Sequence, residues 1–165
     1  MNEQLCWRLI DSAWAVFPPL DQTRKRAIAL KNITALEQLS LMLDRLISVE
    51  LQKQLKQLSK EELIGFIHFF EQQLAHLADQ HLPAWSQYKK SDIHLATAFA
   101  IGMGQHYFQQ VKRQPALLHV QLQAISFALL PYTTYEQEYG ILPTNFQQSP
   151  PSLSKSAFNR SSRRP

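Results

Sequence analysis

The chain has 165 residues, 45% hydrophobic and 18% charged, which is enough apolar material for one sizeable core and too much for wholesale disorder. A single cysteine excludes an internal disulfide framework and multi-cysteine metal sites, and four glycines argue against a glycine-rich phosphate loop or a turn-dense β sandwich. The formal net charge of +4 comes from 17 basic and 13 acidic residues, but Lys155, Arg160, Arg163 and Arg164 lie beyond Gly140 with no acid among them, so the body is formally neutral.

In chain order, Asn2 to Phe17 reads as an amphipathic helix, because Cys6, Leu9, Ile10, Ala13, Trp14 and Phe17 recur at three- and four-residue steps. Pro18-Pro19 is expected to stop it, with Asp21 as N-cap of a short basic helix holding Arg24, Lys25 and Arg26. The stripe Leu36, Leu39, Leu43, Leu46, Ile47, Leu51, Leu55 and Leu58 follows, as one long helix or two. Ser59 and Glu62 have capping-box spacing and open a helix that runs to Pro83. After a connector at Trp85 to Lys90, Ser91 or Asp92 is expected to cap a helix through Tyr107, in which Gly102 and Gly104 imply close packing. Pro115 suits the first turn of a helix from Ala116 to Leu130, Pro131 ends it, and a last short helix runs to Gly140. Leu118, Val120 and Leu122 alternate as a strand would, against the run of the pattern.

The expected architecture is therefore all-α: one compact orthogonal or bundle-like domain of about six to seven helices over residues 1–142. From Pro143 onward serine, proline and glutamine dominate, so 143–165 reads as a disordered basic tail. No run of 18 apolar residues suggests a transmembrane helix, and Glu3, Arg8 and Asp11 near the start do not suit a signal peptide, so a soluble cytoplasmic protein is expected.

Candidate chemistry is sparse. None of the six histidines, His68, His76, His81, His94, His106 and His119, is paired at the three- or four-residue spacing of helical metal ligands, and no metal or cofactor is expected. Cys6 lies in an apolar stripe and reads as core rather than nucleophile. The acidic pairs Glu61–Glu62 and Glu136–Glu138 read as helix-end and surface charges. Arg24, Lys25 and Arg26 form a compact cluster that could meet phosphates or an acidic partner, as could Arg160, Arg163 and Arg164 in the tail. Tyr132, Tyr135 and Tyr139 stand at helical spacing and, with Trp85 and Tyr88, make the best candidate contact surface for a protein partner.

The order of motifs adds one resemblance. Trp7 to Asp11 reads Trp-x-Leu-Ile-Asp, Leu58 to Glu62 reads Leu-Ser-x-Glu-Glu, and Phe66, Phe69 and Phe70 follow. Then come Trp85, the pair Ser91–Asp92, Ile101, Gly104, Phe108 and Pro115, and the close is Tyr135 to Gly140 with Leu142-Pro143. Over about residues 5–143 this resembles an uncharacterised bacterial α-helical family with the pattern Phe-Trp-x-Leu-Ile, Leu-Ser-Pro-Glu-Glu, Ser-Asp-Asp-x-Phe and Phe-Arg-x-Trp. The resemblance implies a cytoplasmic bacterial helical domain and no activity. Ile93 stands where that pattern has a second aspartate, Lys89-Lys90 replace its Gly-Gly, and its arginine has no counterpart here.

The expectation is a non-enzymatic interaction module, such as an immunity-type inhibitor, an adaptor or an assembly subunit. The alternative is a nucleic-acid-associated protein using the tail and Arg24–Arg26. An enzyme would require Asp92, His94 and His106 to share a cleft.

Overall fold

In the computed structural model, which describes residues 1–81, 86–143 and 146, the opening segment forms α1 (Glu3–Ala15). The Asn2 side chain caps it by accepting from the Leu5 amide at 2.8 Å, and Cys6, Trp7, Ile10, Ala13 and Trp14 are its buried face. Helix α1 ends just ahead of the two prolines, as expected. They occupy the first turn of α2 (Pro18–Leu30), where a missing amide proton has no intrahelical partner to lose. Asp21 is consequently inside α2 rather than its N-cap, with its amide bonded to the Phe17 carbonyl at 3.0 Å.

The leucine stripe is one continuous rod. Helix α3 (Ile33–Met42) passes through a π turn (Leu43–Ile47) into α4 (Ser48–Leu55), and the Ser48 hydroxyl reinforces that turn by donating to the Leu43 carbonyl at 2.8 Å. The capping box opens α5 (Lys60–His81) as expected. The Ser59 amide donates to Glu62 at 2.9 Å, and the Glu62 amide to the Ser59 hydroxyl at 3.3 Å. The amide of Ser59 and its hydroxyl hold the Glu62 carboxyl below its ordinary range.

Helix α6 (Lys90–Gly102) is the buried axis of the domain, packed by α5, α7 (Gln105–Arg113) and α8 (Ile125–Tyr139), with every residue from Leu95 to Gly102 buried. Its N-cap is Lys89, and neither Ser91 nor Asp92 caps it. The close packing expected at Gly102 is present, since a Cβ there would lie 2.5 Å from Leu43 Cδ2 in the π turn.

The region after Pro115 differs from expectation. Only a short 3₁₀ turn (Pro115–Leu117) forms, and 118–124 runs as an irregular segment with Leu118 and Leu122 buried. Helix α8 then continues straight through Pro131. The bond given up is the one Pro131 would have donated to the Phe127 carbonyl, four residues back; on the C-terminal side the Thr133 hydroxyl donates to the Leu129 and Leu130 carbonyls (3.2 Å each) and that of Thr134 to Leu130 (2.7 Å).

Among the described residues there is no strand, and seven helical rods enclose one apolar core. That core does not end at residue 142. Phe146 is buried with its ring 4.5 Å from that of His68, so the core reaches past the expected boundary; the rest of the expected tail, 147–165, lies outside the described residues. No described helix is long and apolar enough to cross a membrane.

Candidate functional site

The basic cluster on α2 is the first feature the fold redefines. Arg24 points inward, its side chain only 6% exposed. Its Nε and Nη2 donate to Asp21 Oδ1 at 3.0 and 2.6 Å, and its Nη1 donates to Asp11 Oδ1 at 2.9 Å and to the Met103 carbonyl at 3.0 Å. The guanidinium also stands 5.0 Å from the Trp14 ring centre. Trp14 itself donates Nε1–H to the Gly102 carbonyl at 2.8 Å. Side chains of α1 and α2 thus satisfy two carbonyls at the end of α6, where a cation also suits the helix dipole.

This corner requires glycine at position 104. Its φ of 94° is unfavourable for any side chain, and a Cβ would lie 2.7 Å from both Arg24 Nη1 and Asp11 Oδ1. Burial pushes the Asp21 carboxyl up, but the hydrogen bonds from Lys25 and Arg24 outweigh it and hold the group below its ordinary 3.8. Above the pair lies an open cleft of about 640 Å³, whose rim includes Asp11, Ser12, Lys25 and His106.

Arg24 is therefore unavailable to a nucleic acid, contrary to expectation, since all its strong contacts are internal. Lys25 is mostly exposed but pairs with Asp21 at 2.6 Å, and Arg26 is exposed. Arg160, Arg163 and Arg164 lie outside the described residues.

The tyrosine surface is corrected in the same way. Tyr135 is only 1% exposed and belongs to the core. Tyr132 is half-buried and donates to Glu71 at 3.3 Å, with its phenol pushed above its ordinary pKa, chiefly by burial. Tyr139 is partly exposed but donates to the Leu58 carbonyl at 2.8 Å. Tyr132 thus ties α8 to α5, and Tyr139 ties it to the segment between α4 and α5. Tyr88 is exposed and Trp85 lies outside the described residues.

Asp92, His94 and His106 do not come together. Asp92 accepts from Gln123 Nε2 at 3.3 Å, and burial pushes the His94 imidazole below its ordinary pKa. His106 begins α7, beyond the far end of α6, and contacts Gln110 at 3.1 Å; α6 alone spans about 20 Å. Cys6 is buried, and that burial raises its thiol to about 11. Among the described residues no three histidine, cysteine, aspartate or glutamate side chains converge as metal ligands would.

The sequence reading missed the outer face of the α3–α4 rod. Leu46, assigned to the core stripe, is exposed, and so are Leu41 (55%) and Val49 (50%). Ile125, half-exposed, stands beside this face, because Asp44 of the π turn accepts the amides of Ile125, Ser126 and Phe127 at 3.1, 3.1 and 3.3 Å. The only signal was that Leu41 and Val49 fall off the stripe's own spacing.

Comparison with known proteins finds no matching family model, no matching curated protein and no matching solved structure. The resemblance to the uncharacterised bacterial family rests on the motifs alone.

Proposed function

We propose that this chain is a non-enzymatic, cytoplasmic protein-interaction module that binds through the outer face of the α3–α4 rod. The observation supporting the reading is that Leu41, Leu46 and Val49 stand exposed within nine residues of one rod, with Ile125 beside them. Scattered exposed apolar residues are ordinary, whereas a run of them on one rigid element is a feature of contact surfaces. This face replaces the tyrosines as the contact surface, and Arg24, buried in its internal ion pairs, is withdrawn from contact with nucleic acid.

The test is affinity capture from nuclease-treated lysate with the full chain and with Leu41→Lys. A defined, stoichiometric protein captured by the wild type and lost with Leu41→Lys is the expected result. Capture that disappears with nuclease, or that ignores Leu41→Lys, overturns the reading.

A further inference from the structure

The outer face carries a pattern beyond apolarity. At four-residue steps it reads Ile33, Glu37, Leu41, Arg45, Val49, and all five are exposed. Neither the Glu37 nor the Arg45 side chain has a hydrogen bond or ion pair among the described residues. A four-residue step overshoots one α-helical turn of 3.6 residues, and the wider π turn at Leu43–Ile47 absorbs part of that overshoot between Leu41 and Val49. The row is a ridge of the four-residue kind, which packs beside an identical ridge at a crossing angle of about 50° in regular helices and at a smaller one where the π turn reduces the inclination.

We propose that the occupant of this face is a second copy of the chain, paired antiparallel about a two-fold axis at Leu41; this rests on the reading of the face as the interaction surface. A two-fold contact sets each residue against its mirror position in the row. With the axis at Leu41, Leu41 meets Leu41, Ile33 meets Val49 twice, and Glu37 meets Arg45 twice. Every apolar residue finds an apolar partner and every charge its opposite.

Other registers fail on the same five residues. An axis at Arg45 sets arginine on arginine, one at Glu37 sets glutamate on glutamate, and an axis midway between Leu41 and Arg45 sets leucine on arginine. A parallel pair in register opposes like charges at both positions. The two ion pairs supply register, and the apolar contacts supply most of the affinity. One helix row covers less than the roughly 800 Å² per partner of a standard stable interface, so the dimer is weak and concentration-dependent. Ile125 and Leu46 flank the row and add apolar area at its sides.

Sedimentation equilibrium of the full chain over a wide concentration range tests this, with circular dichroism to show that each variant is folded. The wild type is expected to associate to a dimer, and Leu41→Lys to remain monomeric. Glu37→Arg and Arg45→Glu are each expected to weaken association by about tenfold or more, because each sets two like-charged pairs across the axis. An equimolar mixture of those two variants restores opposite charges at both pairs and is expected to associate as a heterodimer. So is the double reversal Glu37→Arg/Arg45→Glu with itself.

A wild type that stays monomeric, a dimer indifferent to Leu41→Lys, or single variants that fail to rescue each other overturns the pairing. If the monomeric wild type still captures a different protein in a Leu41-dependent way, the interaction reading stands and only the self-pairing falls. Failure of both measurements overturns both.

Discussion

Replacing Arg24 by methionine, which keeps the length and apolar stem of the side chain, isolates what the guanidinium contributes. The substitution removes two hydrogen bonds to Asp21 and one each to Asp11 and the Met103 carbonyl. The contact to Asp11 counts little, because that side chain is 50% exposed and water can replace the lost donor. Asp21 is different: its side chain is only 12% exposed, and breaking a buried pair by removing one partner costs about 3–5 kcal/mol. Lys25 stays on Asp21 Oδ2 and moderates that loss, while the orphaned Met103 carbonyl adds about 1–3 kcal/mol. The two effects share one network and do not simply sum, so the expected loss is about 3–5 kcal/mol in all. At about 2–4 °C per kcal/mol for a chain of this size, the melting midpoint falls by roughly 10 °C.

Urea unfolding followed by far-ultraviolet circular dichroism reads this as a lower midpoint at an unchanged slope. The double variant Asp21→Asn/Arg24→Met, which leaves no buried charge unpaired, is expected nearer to the wild type than Arg24→Met alone. Acid titration supplies a second readout. The Asp21 carboxyl titrates lower in the fold than in the unfolded chain, so its contribution is fully present above about pH 4 and is lost as the pH falls through the lower folded value. Without Arg24 that component of the acid transition should shrink. A loss below about 1 kcal/mol for Arg24→Met, or a double variant no better than the single, would refute the account of Arg24 as the bolt of this corner.

Three further outcomes are expected. Asp44→Ala, which strips the acceptor from three amides at the start of α8, should cost about 1–2 kcal/mol in urea unfolding, and Asp44→Asn, which keeps one acceptor, distinctly less. Phe146→Ala should cost about 3 kcal/mol, and a chain ending at Leu142 about as much, if the core extends past that residue. Burial holds the His94 imidazole below its ordinary 6.5, so the unfolded chain binds the proton more readily and stability should fall as the pH drops below that value; melting scans of His94→Leu should show less of this loss.

Local signals in the sequence read well where the cause is local. The capping box at Ser59 and Glu62, the apolar face of α1 and the burial of Cys6 each depend on residues a few positions apart. The errors fall where the cause is distant. Pro131 reads as a terminator because proline lacks an amide, but it costs α8 only the bond to the Phe127 carbonyl, and the burial of Phe127, Leu130 and Tyr135 in the core carries the helix across that gap. The start of α8 has no cap of its own in sequence, because its cap is Asp44, on a different helix. Arg24 looks like part of a solvated basic run until α6 and α7 bring the Met103 carbonyl onto it, 79 positions away.

The outer face of the α3–α4 rod shows the same division from the other side. The order of Ile33, Glu37, Leu41, Arg45 and Val49 is written in the sequence, and its mirror symmetry of charge and apolarity could be read there. What could not be read is that these five face solvent. The rod carries a second, denser apolar stripe, and a helix with apolar residues around most of its circumference gives no indication of which side is covered. The π turn decides it. By placing Leu43 against Gly102 and Asp44 at the amides of α8, it locks one side of the rod into the core and leaves the symmetric row outward. The cap that holds α8 and the face proposed for pairing are therefore set by the same five-residue turn. A substitution that converts it to regular α-helix should disturb both together, whereas changes at Leu41 or Val49 should leave the α8 cap intact.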